Sequence, residues 1–455
     1  MIAPTSRFMW VVALGILPPA ALGAFFPPFS VLATLVTLFI IAIAIFDAAT
    51  NMKWWQGLTL SFPKTIRLTS RVAGEVSCSI EDRRKRNLKL RIGFSPAPGL
   101  GLEEEILDAR LTPEKPAILK TWACCPFRRG RILIDHAYLE ADSQLKLWHV
   151  RGRIPVNCEV KVYPNLGKDR KSASAAFLNR GRVGEKSIRQ IGKGREFEML
   201  REYVHGDSYE DIHWRATAKR RSPVTKVFQI ERTQEIYVIV DASRLSARRP
   251  GGYTKEREIA EEVLPEQESL LERYITAAML LHQVAHHQGD LFGLMVFDDR
   301  VRHFVRARGG KAHYSACAEA LYTLEPKMVT PDFEELFSFI RLRLRKRALL
   351  IFLTNLDDPV IAESFSKHVE MISRQHLVML NVITPKGVEP LFGKTEVEDL
   401  DDVYLQLAYH FQWGQIRDLE KSLKPSGVHL QQLTNERACA DIINQYMQVK
   451  KKQML

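Results

Sequence analysis

Two apolar stretches at the N-terminus, residues 8–26 and 29–46, carry no charged residue and are separated only by Pro27-Pro28. At ~1.5 Å per residue, each as a helix would span just under ~30 Å, one hydrocarbon thickness. The pair is therefore expected to form a transmembrane helical hairpin within residues 1–50 that enters the lipid bilayer through residues 8–46. Pro18-Pro19 would kink the first helix, and a cleaved signal peptide with Arg7 as its basic flank is the rival reading. Either way, the chain after residue 47 lies on one face. Arg7 and Lys53 flank the pair and the turn between them is uncharged, so the positive-inside rule makes that face cytoplasmic.

The remaining length of a 455-residue chain has room for further domains, and 46% hydrophobic with 26% charged residues is a globular balance rather than a disordered one. A formal net charge of +12 favours anionic surroundings, either nucleic acid or an anionic membrane surface. The basic runs at 83–86, 219–221, 341–347 and 450–452 are scattered, and no DNA or RNA module accompanies them. Beside a membrane anchor they are read as facing lipid headgroups, and no nucleic-acid partner is expected. Cysteines at 78, 124, 125, 158, 317 and 439 form no C-x-x-C pair and no regular spacing. This argues against a zinc module and a disulfide framework, and for reduced thiols in a cytosolic setting.

Residues 60–165 read as short alternating runs, such as 65–68, 88–92, 131–134 and 158–162, broken by Pro, Gly and charge. Period-two alternation of this kind predicts an antiparallel β-sandwich-like domain. Residues 166–193 are rich in Lys, Arg, Ser, Ala and Gly, as a linker is. From residue 233 to 455 strands and helices alternate. Strands are predicted at 236–240, 291–297, 301–305, 348–353, 377–383 and 428–430, and helices at 271–285, 313–323, 333–346 and 436–449. The order implies a doubly wound, Rossmann-like parallel sheet with one antiparallel excursion, the pattern of a von Willebrand A-like domain.

Between linker and sheet lies a signature connector, residues 194–232, in which G-R-E-F, L-R-E-Y, G-D, I-H-W and A-T-A-K follow one another and I-Y-V-I-V-D-A-S comes next at 236–243. These motifs in this order resemble the domain-of-unknown-function-58 (DUF58) family, which places them ahead of a von Willebrand factor A-like domain. Arg128-Arg129-Gly130 and Val162-Tyr163-Pro164 look like landmarks of the same family. Where the family has an Asp-Pro-Phe-Gly-like turn, this chain reads Asp142-Ser143-Gln144-Leu145-Lys146-Leu147-Trp148. The resemblance implies a prokaryotic inner-membrane protein whose partner is a MoxR-type AAA+ ATPase, acting as an adaptor or scaffold through protein–protein interaction.

Asp241 and Ser243 directly follow the first strand of the sheet, and ligands in open α/β sheets bind beyond the carboxyl ends of the strands. The von Willebrand A resemblance implies a Mg²⁺ there, held by an Asp-x-Ser-x-Ser motif, a threonine and a further aspartate; oxygen ligands suit that hard cation. Asp241 and Ser243 match, and Thr330 stands for the threonine. Leu245 replaces the second serine and Asn355 the aspartate, which makes the cation edge degenerate unless Ser246, Asp357 or Asp358 shifts in.

In the connector, Glu196, Arg201, Glu202, Tyr203, Asp207, Asp211 and Trp214 are either a docking site or a buried ion-pair network that fixes two domains together. His282 and His286 share the i, i+4 spacing of zinc proteases but lack the glutamate that would activate water, so they are read as solvent-facing helix residues. No phosphate-binding Gly-rich loop and no Gly-x-Ser-x-Gly elbow is present, and the chain is not expected to be an enzyme. The alternative from another class is an enzyme of cell-envelope metabolism that uses residues 194–230.

Overall fold

The computed structural model describes residues 2–25, 30–51, 54, 57–95, 99–167, 169–170, 191–205, 207–229, 234–249, 269–385, 388, 390 and 400–452. The chain divides into two compact units, Met1–Asn165 and Leu166–Leu455. Most of the expected basic linker, and the Pro27-Pro28 turn of the expected hairpin, lie outside the described residues.

The first unit begins with a short strand, β1 (Ile2–Pro4), and a helical run made of α1 (Ser6–Val11), a π-helical turn (Val12–Ile16) and α2 (Leu17–Phe25). The expected kink at Pro18-Pro19 is absorbed by that π turn, in which the Leu17 amide reaches back to the Val12 carbonyl. Prolines lack the amide hydrogen that the next turn would need, and a widened turn just before them takes up the mismatch. Helix α3 (Ser30–Asn51) follows; with 22 residues and a mean hydropathy of 2.5, it is, among the described residues, the one helix long and apolar enough to cross a membrane. Gly15 faces Ile40 so closely that a Cβ on it would sit 3.1 Å from the Ile40 Cδ1.

Strands β2 (Leu58–Ser61), β3 (Thr65–Thr69), β4 (Gly74–Asp82), β5 (Leu88–Phe94), β6 (Leu107–Leu111), β7 (Ala117–Cys124), β8 (Gly130–Asp142) and β9 (Trp148–Tyr163) form two sheets. One has the order β1-β9-β8-β5-β6 with β3 parallel on β9, and the other the order β2-β4-β7. The alternation seen in sequence is the reason: in β4 Val76, Cys78 and Ile80 point inward, as do Leu90, Ile92, Trp122, Ile134, Cys158 and Val160 from neighbouring strands. All six cysteines are free. Arg86, read from sequence as part of a headgroup-facing run, instead folds onto buried Asp82 at 2.9 Å and donates to the Trp54 carbonyl.

The second unit opens with an antiparallel ribbon, β10 (Ile191–Glu202) and β11 (Val224–Gln229), and continues into a six-stranded sheet. Its strands are β12 (Glu235–Asp241), β13 (Leu291–Phe297), β14 (Val301–Arg308), β15 (Leu349–Leu353), β16 (Leu377–Thr384) and β17 (His429–Thr434), in the order β14-β13-β12-β15-β16-β17. Only the β13–β14 pairing is antiparallel. This is the expected doubly wound sheet with its single antiparallel excursion. Helices α5 (Leu270–His287), α6 (Lys311–Leu321), α7 (Phe333–Arg343) and α10 (Ala438–Lys452) fall where the periodicity placed them. Two more, α8 (Pro359–Ser373) and α9 (Leu400–Leu423), were not anticipated.

The core on one side of this sheet is aromatic, with Phe365 meeting Phe333 at 5.0 Å, Phe337 at 5.3 Å and Phe352 at 5.6 Å between ring centres. Edge-to-face rings in such a cluster contribute beyond their buried area. Gly293 in β13 lies under the Tyr237 ring, where a Cβ would come within 2.3 Å; only glycine lets that ring lie flat on the sheet.

Candidate functional site

Asp241 ends β12, the central strand, between β13 and β15. Three loops converge on it. The first leaves β12 directly: the Ala242 amide donates to the Phe297 carbonyl at 2.8 Å, and the Ser243 amide donates to Asp241 Oδ1 at 2.7 Å. The second is 327–332, held by Lys327 N to Ala242 O at 2.8 Å and Arg244 N to Val329 O at 3.1 Å, with Asp332 N on the Asp298 carbonyl at 3.2 Å. The third follows β15, where Thr354 Oγ1 donates to Asp241 Oδ2 at 2.5 Å. Asp241 is fully buried and its carboxyl is pushed above the usual carboxylate range by that burial, against the opposing pull of the Thr354 and Ser243 hydrogen bonds and with a further push from Asp298.

The residues offered as substitute ligands are engaged in part, with Asp357 Oδ1 buried and without a partner. Asp357 pairs with Arg248 at 2.9 Å and accepts from the Asn355 amide at 3.0 Å; Asp358 pairs with Arg244 at 3.2 Å; Ser246 Oγ donates to the Ser243 carbonyl at 2.8 Å. Ser243 Oγ accepts from the Leu245 amide. Thr330 is exposed, in the loop tied to residues 242 and 244. Asn355 is buried and its Oδ1 has no hydrogen-bond partner. Both Asp241 oxygens and Ser243 Oγ already accept hydrogen bonds, so the oxygen atoms left open to a hard cation such as Mg²⁺ at this edge are Asn355 Oδ1 and Asp357 Oδ1. Thr354, which holds the Asp241 carboxylate, was missed as a site residue. It precedes Asn355 in sequence, and a hydroxyl that donates across 113 residues leaves no local signature.

Among the described side chains of the connector, one ion pair is seen. Arg201 and Asp207 pair at 2.6 Å, and Asp207 also accepts from the Val204 amide at 3.0 Å. The Val204 amide and then Arg201 hold the Asp207 carboxyl below its ordinary range. Glu202 is exposed, Tyr203 and Asp211 are half-buried, and Trp214 is 69% exposed. Of Glu196 the backbone alone is described, paired with Gln229 across the ribbon. Between the strands, His213 caps the short helix α4 (Trp214–Arg220): its Nδ1 accepts from the Ala216 amide at 3.1 Å. His213 therefore sets backbone geometry. Its neighbours Tyr209 and Trp214 project outward.

His282 corrects another expectation: it is buried at 1% exposure, whereas His286 is exposed. Helix α5 turns the first toward a neighbouring helix and the second toward solvent.

Residues 199–407 match the family described as protein of unknown function DUF58. Among solved structures, the SpRpn10 VWA domain is similar at 9% identity and a TM-score of 0.29, covering 47% of this chain and 95% of that one. An aerotolerance-related membrane protein from Bacteroides fragilis, with multiple mutations to serines, is similar at 14% identity and a TM-score of 0.27, covering 47% of this chain and 98% of its own. The PapD-like domain 7 of human CEP192 is similar at 9% identity and a TM-score of 0.17, covering 24% and 87%. No curated protein matches.

Proposed function

We propose that this chain, whose residues 199–407 belong to the DUF58 family, is a membrane-anchored adaptor or scaffold that engages a protein partner through its von Willebrand A-like unit. The anchor is a helical hairpin in a prokaryotic inner membrane, with both folded units on the cytoplasmic side. The partner is a MoxR-type AAA+ ATPase, and Mg²⁺ completes the edge at Asp241.

The observation that carries this reading is the edge itself. Three loops from distant parts of the chain are stitched together by backbone hydrogen bonds around Asp241, with Arg244 and Arg248 displayed beside it. In an open α/β sheet this is where a ligand or partner meets the fold. The membrane half of the reading draws on the apolar helix Ser30–Asn51 and its attachment to the first unit: the Trp148 indole N–H donates to the Ala44 carbonyl at 2.9 Å, and Ser143 donates to Asp47 at 2.6 Å.

The test is a pull-down of the detergent-solubilised full chain from its own cells with Mg²⁺ and ATP, comparing wild type with Asp241→Ala. The expected result is an AAA+ ATPase that co-purifies with wild type and is lost from the variant. An ATPase retained by the variant would keep the adaptor and remove the edge from its mechanism; no ATPase with either protein would overturn the partner. Calorimetric titration of the full chain with millimolar Mg²⁺ should give binding heat that Asp241→Ala abolishes.

A further inference from the structure

We propose that His282, His313 and Cys317 form a buried binding site for a borderline transition-metal cation of the Zn²⁺ class. His313 and Cys317 are four apart on α6, hence on one face of it, and His282 meets them from α5. One ligand atom from each lies within 4.8 Å of the other two, and the Cys317 Sγ stands 3.7 Å from His313 Nε2. Tetrahedral zinc, with bonds of about 2.0 Å to nitrogen and about 2.3 Å to sulfur, needs its ligand atoms roughly 3.3–3.7 Å apart. Small side-chain rotations close that gap.

Burial makes this more than a coincidence of residue types. His282 is 1% exposed, His313 8% and Cys317 0%. Both ring nitrogens of His282 are buried without a hydrogen-bond partner. An imidazole in that position leaves desolvated polar atoms uncompensated, and a metal–nitrogen bond would relieve one of them. Burial, then His313 and His286, push the His282 imidazole down to about 4, so it presents a free lone pair at neutral pH. Burial alone pushes the Cys317 thiol up to about 12, which keeps it protonated until a cation arrives. A cavity of about 320 Å³ lined by His282, Gln283, His286, Lys311 and Tyr314 lies against the His282 side of the cluster and gives an approach from there.

The chemistry of binding is balanced without redox change. Cys317 gives its proton to solvent as the metal–sulfur bond forms. His313 Nε2 now donates to the Phe292 carbonyl at 2.7 Å; on binding, the proton of that neutral ring resides on Nδ1 and the metal takes the place of the hydrogen bond. The ligand set of two imidazoles and one thiolate favours Zn²⁺ over Mg²⁺ or Ca²⁺, which take oxygen. The site would pin α5 to α6, which are already linked by Gln283 Nε2 to Tyr314 Oη at 3.2 Å.

Titration of the reduced, metal-stripped full chain with Co²⁺ in detergent tests the proposal, because a cysteinate-to-cobalt charge-transfer band reports the thiolate ligand directly. The expected result is one such band per chain, displaced by Zn²⁺ and unaffected by Mg²⁺. It should vanish in Cys317→Ser and persist in Cys125→Ser, which removes the exposed thiol. His282→Phe should weaken Co²⁺ binding by more than about a hundredfold, the upper end of what loss of an outer-shell partner does. That variant also deletes the two orphan nitrogens, so it keeps the test open if Cys317→Ser does not fold. Absence of the band in wild type, its survival in Cys317→Ser, its loss in Cys125→Ser, or unchanged affinity in His282→Phe would each overturn the proposal.

Discussion

Asp47 and Asp241 are both buried carboxylates, at 2% and 0% exposure, yet their surroundings differ in kind. Asp47 lies near the end of the apolar helix α3 and accepts from Ser143 Oγ at 2.6 Å, the Leu145 amide at 3.3 Å and the Asn51 amide group at 3.2 Å. Ser143 Oγ in turn accepts from the Trp148 amide at 3.0 Å, and Thr5 at the head of α1 donates to the Lys146 carbonyl at 2.7 Å. The turn between β8 and β9 thus grips both apolar helices, and the Trp148 ring packs on Phe8 at 4.6 Å. Asp241 is held by Thr354 and Ser243, yet its burial, with a smaller push from Asp298, opposes its ionisation. A buried carboxylate surrounded by donors acts as a joint. One held part-way, with a second carboxylate near it, retains an electrostatic cost that a cation or partner could relieve.

The comparison can be broken most forcefully at the joint. Asp47→Ala leaves the Ser143, Leu145 and Asn51 donors without their acceptor and should destabilise the first unit by about 3 kcal/mol. Thermal unfolding in detergent would read it as a lowered midpoint, and an unshifted midpoint would remove the joint.

At the edge the effect is smaller. Asp241→Ala should destabilise the second unit by about 1–3 kcal/mol, because the Thr354 hydroxyl and Ser243 amide lose their partner. Asp241→Asn keeps an acceptor and deletes a charge that burial opposes, so it should stay within about 1 kcal/mol of wild type. Equal losses from the two substitutions, measured by denaturant unfolding, would contradict the picture of a carboxylate held at a cost.

The same carboxyl gives a pH signature. Its folded value is raised, so its contribution to stability is complete below the unfolded carboxyl range and is lost as pH rises through the folded value. Wild type should therefore lose stability relative to Asp241→Asn over that rise. The Arg201–Asp207 pair works with the opposite sign: the Asp207 carboxyl is lowered, and its contribution disappears as pH falls through the lowered value. Parallel pH profiles for wild type and Asp241→Asn would show that Asp241 is not strained.

The smallest effect belongs to Trp148→Phe, which keeps a ring against Phe8 but loses the indole donor to the Ala44 carbonyl, about 1 kcal/mol. No loss at all would confine the grip on α3 to Asp47.

Much of the second sheet could be read in advance, because strands covered on both faces are continuous apolar runs, as in β12 and β15. Helix α8 had its own signal, Asp358 capping with Pro359 in the first turn, and Ile361, Phe365, Val369 and Ile372 buried along one stripe. Helix α9 had none as clear: Leu400, Val403, Tyr404 and Phe411 are exposed, which blurs the contrast between faces that periodicity depends on. In the connector, the mixture of charge and aromatics left open whether Trp214 belongs to a docking site or to a buried network. The ribbon uses His213 and Asp207 to shape its own turn and leaves that indole outward.

The stretch 142–148, where the sequence departs from the Asp-Pro-Phe-Gly-like turn, is where the two apolar helices are fastened. Sequence alone determined the apolar helix, the strands of the second sheet and the position of Asp241 and Ser243 at a strand end, because periodicity and strand-end placement are local properties of a chain. Tertiary structure decided which partners those residues meet. Thr354 on Asp241, Ser143 on Asp47, and His282 beside His313 and Cys317 join positions 113, 96 and about 30 residues apart, and no local pattern records a contact closed only when the chain packs.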